Sequence, residues 1–252
     1  MKNPKLRTAN KVVPPYPINQ FPKSFVNTFG EEIVYMLATK SPMSIEGEEW
    51  EQVFAKCVGA TWKPSNVGLD DVVLGNCCWS AKTVKAGRKH IEDQTEVRLI
   101  SGRCSPVFSY GSEGVSPEND PAEVGEMVLG IWNERVSSVR EVFKFARTVV
   151  LVKGEKHDEF LVFETNTVRY DSELYYFSWN KNGNLEGHER ATLKHRFTWQ
   201  PHGSQLTIIE DVPPERLHLK VKRPGTLDKE KVLDAVGYQY YWISLIDDNK
   251  CF

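Results

Sequence analysis

Two acidic residues, a serine and a lysine stand together in GLDDVVLGNCCWSAKTVK, residues 68–85: Asp70, Asp71, Ser80 and Lys82. A carboxylate beside a lysine suits phosphodiester hydrolysis. The carboxylate holds a divalent cation, here expected to be Mg²⁺, that neutralises developing charge and activates water, while the lysine positions or activates the nucleophile. The stretch reads as two short strands rich in β-branched residues and joined at Gly75 and Asn76, a pair suited to a tight hairpin turn. With that turn, Leu74 faces Cys77 and Val73 faces Cys78. Asp71 then lies opposite Ser80 on the face that also carries Lys82, and Asp70 points to the other. An odd-length loop exchanges the roles of Asp70 and Asp71.

The neighbouring elements must hold this hairpin. SIEGEEWEQVFAKCVGA, residues 44–60, places a Ser N-cap and early carboxylates before apolar Ile45, Trp50, Val53, Phe54 and Cys57, which predicts an amphipathic helix. VRLIS at 97–101 reads as a third strand. A second helix starts at Asp120 as cap and Pro121 as first residue, and its stripe of Val124, Val128, Ile131, Val139 and Val142 carries it to about residue 146. RTVVLVKG follows as a strand apolar enough to be central, and DEFLVFE as another. Upstream, a Pro-rich lead (Pro14, Pro15, Pro17, Pro22) precedes a short apolar helix over 33–38, and residues 1–24 carry only basic charges. Such an arm reads as a solvated terminus or as a wrap for a phosphate backbone. After Thr165 the chain turns to aromatic-rich strands, with a hairpin at Asn182 and Gly183, then a helix over 228–238 and a closing apolar strand. There is no internal repeat. The fold class predicted is α/β (α+β), with a mixed central β-sheet flanked by helices. One domain spans 1–252, with a core over about 31–165 and a β-rich C-terminal elaboration over about 166–252.

Bulk properties narrow the function classes. With 252 residues, 40% hydrophobic and 26% charged, the chain has enough apolar sequence for a sizeable core. No apolar run reaches the roughly 18 residues that span a bilayer, and the basic N-terminus lacks the apolar stretch of a secretory signal, so the expected location is the cytosol, without membrane contact. Cys57, Cys77, Cys78, Cys104 and Cys251 lack zinc-ligand spacing and read as reduced thiols. A formal net charge of −2 excludes blanket adhesion to nucleic acid but not a local basic cleft. No Walker loop, G-x-G-x-x-G or G-x-S-x-G occurs, so no nucleotide cofactor is expected and a serine hydrolase is disfavoured.

The order of helix, three strands, helix and strand over residues 44–152 resembles the PD-(D/E)xK nuclease superfamily, whose core is a helix, a three-strand meander, a helix and a returning strand. On that resemblance Asp71 is the metal-binding acid and Lys82 the family's lysine, while Ser80 stands where the second acid belongs. Serine is a poor substitute for a carboxylate on a hard cation. Some restriction endonucleases with a Ser-x-Lys element take the acid from another segment. Candidates are Glu46, Glu48 and Glu49 on the preceding helix, with Glu49 preferred because it sits four residues before Val53 and borders the buried stripe. Glu92 and Glu96 are the runners-up. The resemblance implies a type II restriction endonuclease, a site-specific Mg²⁺-dependent deoxyribonuclease that acts on double-stranded DNA as a homodimer. A repair or junction-resolving nuclease and a non-catalytic DNA-binding protein of the same fold are the alternatives.

Two polar loops fit DNA recognition. SGRCSPVFSYGSEG concentrates Ser101, Arg103, Ser105, Ser109 and Tyr110 just past the third strand. FTWQPHGSQ places Trp199, Gln200, His202, Ser204 and Gln205 between two strands. Gln pairs bidentately with adenine, and His or Ser reaches base edges in the major groove.

Overall fold

The computed structural model describes residues 14–40, 44–63, 69–87 and 90–243. The chain opens with α1 (Lys23–Thr39) and α2 (Gly47–Val58). In α1 the buried side chains Phe25, Phe29, Ile33, Met36 and Leu37 recur every three or four residues, so the helix begins well before the expected 33–38, directly after Pro22. Glu46, not Ser44, is the N-cap of α2, because Glu46 and Glu49 form a reciprocal capping box. Gly59, at φ 66°, ends the helix in the left-handed conformation that a Cβ disfavours. Trp50, Val53 and Phe54 then face the core.

Five strands and two helices follow. They are β1 (Thr61–Trp62), β2 (Val72–Leu74), β3 (Cys77–Lys85), β4 (Glu96–Arg103), α3 (Pro106–Tyr110), α4 (Pro121–Val142) and β5 (Phe145–Lys153). The remainder is β6 (Glu159–Asn166), β7 (Tyr175–Trp179), β8 (Leu185–Glu189), β9 (His195–Gln200), β10 (Gln205–Asp211), β11 (Leu217–Lys220) and α5 (Lys229–Ala235). One sheet is mixed, in the order β1-β2-β3-β5-β6-β11, with β3 and β5 parallel and its other neighbours antiparallel. The second, β4-β10-β9-β8-β7, is antiparallel throughout. The fold is therefore mixed α and β, with a mixed central sheet and, among the described residues, five α-helices.

Further differences from the sequence reading lie in β4, the end of α4 and the C-terminus. The strand at 97–101 is not the third strand of the hairpin's meander: β4 edges the second sheet, and the two-residue β1 pairs with β2 instead. The cause is visible in β4, where buried Val97, Leu99 and Ser101 alternate with exposed Glu96, Arg98 and Ile100, a pattern for a sheet with one solvated face. Helix α4 stops at Val142 rather than near 146, since Phe143 turns extended and β5 takes up the same apolar run. The C-terminal helix covers only Lys229–Ala235, and a 3₁₀ turn at Tyr240–Trp242 replaces the start of the expected closing strand, whose end lies outside the described residues.

Helices α1 and α2 cover one face of the mixed sheet through Phe25, Phe29, Trp50, Phe54, Trp79 and Phe160. On its other face Val150, Val152, Leu161 and Phe163 meet Val97 and Leu99 of β4. Helix α4 lies on the inner face of the second sheet, where Val128, Leu129 and Trp132 pack with Phe197, Trp199 and Leu206. This contact is close at Gly125, where any Cβ would collide with the Phe177 ring. The second sheet thus belongs to both halves of the sequence, since β4 comes from the core and β7 to β10 from the elaboration. Cys57, Cys77, Cys78 and Cys104 are free thiols, while Cys251 and the basic residues before Pro14 lie outside the described residues. No helix among the described residues is long and apolar enough to cross a membrane.

Candidate active site

The hairpin turns at Gly75 and Asn76, with Gly75 at φ 59°, and its register pairs Leu74 with Cys77, Val73 with Cys78 and Val72 with Trp79. Asp71 is next in that ladder and stands opposite Ser80. Its Oδ2 accepts hydrogen bonds from Ser80 Oγ at 3.2 Å and Ala81 N at 3.0 Å. Both residues are buried, Asp71 at 4% exposure and Ser80 at 0%. Asp70 goes the other way and pairs with exposed Lys63 at 2.7 Å. The even turn expected from the sequence is the one observed.

Lys82 lies on the Ser80 face, two residues along β3, and its electrostatic partners are Asp71, Glu51 and Arg135. Burial lowers its pKa, Asp71 and Glu51 pull it back up, and Arg135 pushes it further down. Burial likewise raises the pKa of Asp71 against the opposing pull of Lys82 and the two hydrogen bonds. Among the described residues no ion pair within 4.0 Å engages Lys82. The ammonium is therefore held near two acids without being consumed by either.

Glu49, the expected helix acid, is engaged elsewhere. Its carboxylate closes the capping box on Glu46 N at 2.9 Å and forms an ion pair with Lys40, which outweighs burial and lowers its pKa. Glu51 is the acid coupled to Asp71 and Lys82. Two residues at 3.6 per turn separate the side chains by about 200°, so Glu51 lies across the helix from Glu49. Trp62 Nε1 donates to Glu51 Oε2 at 2.9 Å and fixes it, and burial still raises its pKa. Of the runners-up, Glu92 is exposed in a 3₁₀ turn with Glu159 and His218 nearby. Glu96 is exposed on the wall of a cleft of about 560 Å³ that Lys82 also lines.

Besides Glu51, Arg135 and Glu210 escaped the sequence reading. Arg135 extends from α4, donates from Nη1 to Ser101 O at 3.0 Å and crosses Gly102, which at φ 109° leaves no room for a Cβ beneath the guanidinium. Its only sequence signal is a charge between buried Trp132 and Val136. Glu210, on β10, lines the small internal cavity shared by Ser80, Lys82, Ser101, Thr148 and Tyr170. Burial raises its pKa, and Tyr170 Oη donates to it at 3.1 Å.

The two predicted recognition loops meet at one edge of the second sheet. Gln205 pairs with both Arg103 and Gln200, and Cys104 N donates to Ser204 O at 2.7 Å. Gln200 and His202 are exposed, and Ser204 takes φ 53° in the turn. Ser105 caps α3, which presents Phe108 and Tyr110 outward. Trp199 is a correction. At 2% exposure it donates from Nε1 to Cys104 O at 2.8 Å, so it belongs to the core and offers no surface to DNA.

No family model, curated protein or solved structure matches the chain. Fit to a cation therefore rests on the donors. Asp71 and Glu51 supply hard oxygens, both with pKa raised by burial, and a bound divalent cation would relieve the charge that burial penalises. Among the described residues the three-ligand clusters lie elsewhere. Two carboxylates suit Mg²⁺, which keeps several waters and binds through one or two acids.

Proposed function

We propose that the chain is a Mg²⁺-dependent endonuclease that cuts double-stranded DNA at specific sites, of the PD-(D/E)xK kind with a Ser-x-Lys element. The observation that carries this reading is the electrostatic coupling of Lys82 on β3 and Glu51 on α2 to Asp71 on β2, whose carboxylate is buried against Ser80. Further support comes from the strand order, an antiparallel β1-β2-β3 meander with β5 returning parallel beside β3.

Asp71 and Glu51 would hold Mg²⁺, and the ion supplies neutralisation of charge on the scissile phosphate. Ser80 and Ala81 N fix the Asp71 carboxylate and so aim its second oxygen. Lys82 donates from Nζ to the attacking water or to a phosphate oxygen. Its desolvation strengthens that bond, because charge–charge attraction grows as the local dielectric falls. Arg135, which acts electrostatically on Lys82, would add a second fixed cation beside the phosphate. Arg103, Gln200, His202, Ser204 and Gln205 form the edge that reads bases. Cutting both strands of a palindrome suits a homodimer.

Incubating supercoiled plasmid with the protein and Mg²⁺ tests the reading. Discrete linear fragments are the expected result, lost in Asp71→Asn and Lys82→Ala. Cutting confined to branched DNA would make it a junction enzyme. The departure at Ser80 favours a second reading, a non-catalytic DNA-binding protein, for which a mobility shift without cleavage at any Mg²⁺ concentration is the signature.

A further inference from the structure

The outer face of the second sheet, away from α4, carries a cluster of ligand-type side chains that the proposed cleavage does not use. Glu186 and His188 on β8 and His195 on β9 bring one potential ligand atom each to within 4.8 Å of one another. A slip in the β8–β9 pairing at Gly187/His188 sets His188 against His195, and Glu186 shares the face by the two-residue strand period. We propose that Glu186, His188 and His195 bind a divalent transition-metal ion of the zinc class.

Each side chain is prepared for that role. His195 Nε2 lies 2.7 Å from Phe197 O, and since a carbonyl only accepts, Nε2 carries the hydrogen and Nδ1 presents a lone pair. A metal-bound histidine characteristically spends its other nitrogen this way. His188 makes no hydrogen bond among the described residues: Nδ1 is buried without a partner, and Nε2 lies 3.9 Å from Glu186 Oε2. Burial, with His195 beside it, lowers the pKa of His188. Glu186 Oε1 accepts from Asn180 Nδ2 at 2.7 Å, so its other oxygen faces His188.

Two imidazoles and a carboxylate select Zn²⁺, Ni²⁺ or Cu²⁺ over Mg²⁺. At zinc–ligand distances near 2.1 Å, tetrahedral ligand atoms lie about 3.4 Å apart. The imidazoles stack at 4.8 Å with a 23° tilt, so loading turns one ring until the lone pairs converge. The other three-residue cluster, Glu92, Glu159 and His218, has Lys220 at 3.7 Å from Glu159 and so already carries a countercharge. A metal on the first cluster clips β8 to β9, the strand that leads into the turn at residues 201–204.

The full chain, stripped with chelator and held in saturating Mg²⁺ to occupy the Asp71 region, is titrated calorimetrically with Zn²⁺. One ion per chain is expected. His188→Ala and His195→Ala should each weaken it by more than the roughly 10–100-fold that loss of an outer-shell partner costs, and Asn180→Ala by about that outer-shell amount. Co²⁺ should give visible ligand-field bands without sulfur-to-metal charge transfer. Melting of the metal-free variants checks folding, and Glu186→Gln replaces any that fails. Absence of Zn²⁺ binding, a thiolate signature, or undiminished affinity in the folded variants overturns the proposal.

Discussion

Two clusters of charge at the mixed sheet, one around Glu164 and one around Asp71, solve burial differently. On the α1/α2 face Arg147 and Glu164 form an ion pair at 2.8 Å, and Trp79 Nε1 and Tyr16 Oη donate to Glu164 at 2.7 and 3.2 Å. Trp79 and Arg147 are register partners in the parallel pair, which fixes both to that face. Asp71 and Lys82 lie on the other face of β2 and β3, and they and Glu51 of α2 are coupled electrostatically but, among the described residues, share no ion pair within 4.0 Å. Burial raises the pKa of Glu164 and Asp71 alike, so the shift alone does not separate structure from chemistry. The destination of the hydrogen bonds does. A closed cluster spends its charge on the fold, whereas an open one leaves charge available to a ligand.

The largest stability effect should come from the closed cluster. Removing the guanidinium in Arg147→Met leaves the Glu164 carboxylate buried without a countercharge, which should cost about 3–5 kcal/mol in urea unfolding. Glu164 also sets a pH dependence. Burial, opposed by Arg147, Trp79 and Tyr16, raises its pKa in the folded chain, so the folded form retains a proton that the unfolded form has released. That stabilisation is present at acid pH and lost as pH rises through the folded value, and Glu164→Gln should flatten the slope. An Arg147→Met variant as stable as the parent would erase the contrast between the clusters.

In the open cluster the balance reverses. Lys82→Ala should lower the cleavage rate by roughly 10²–10³-fold, the usual cost of a fixed charge-stabilising donor, and leave the melting temperature level or raised because a desolvated ammonium is gone. Equal cleavage by parent and variant at matched Mg²⁺ would remove Lys82 from the site.

Glu49 and Glu51 sharpen the comparison within one helix. Glu51→Gln should abolish or strongly weaken Mg²⁺-dependent cleavage, whereas Glu49→Gln should cost about 0.5–2 kcal/mol through the weakened cap and leave cleavage unchanged. Metal titration of both variants distinguishes the two, and the opposite outcome returns the metal-binding role to Glu49.

This pair also marks how far the sequence was legible. The hairpin could be read because its turn is local and a period of two carries the register from Gly75 and Asn76 to Asp71 and Ser80. The acid coupled to Asp71 and Lys82 is Glu51, on the expected helix but on the side away from Glu49, since the packing of Trp50, Val53 and Phe54 sets the rotation of α2 and sequence spacing does not fix it against a distant strand. Strand β4 was found, but its partner β10 is about a hundred residues away, and no local signal names a partner at that separation. Trp199 was taken for a loop residue because its polar neighbours hid the end of β9, although its own side chain fills the core. Arg135 and Glu210 reach the site only through the stacking of α4 and β10 on the mixed sheet.

The smallest expected effect is also a direct test of register. Asp70 and Asp71 are adjacent and chemically alike, yet Asp70 pairs with exposed Lys63 while Asp71 is buried against Ser80. An exposed ion pair gains little, since water and salt screen it and two side chains lose freedom. Asp70→Asn should therefore leave both the melting temperature and the cleavage rate unchanged, and Asp71→Asn should abolish cleavage. Assayed side by side on one plasmid, the two variants read the hairpin's pairing through its chemistry. Loss of cutting in Asp70→Asn with Asp71→Asn active would mean that the strand presents its other face to the cation, and the open cluster would have to be rebuilt around Asp70.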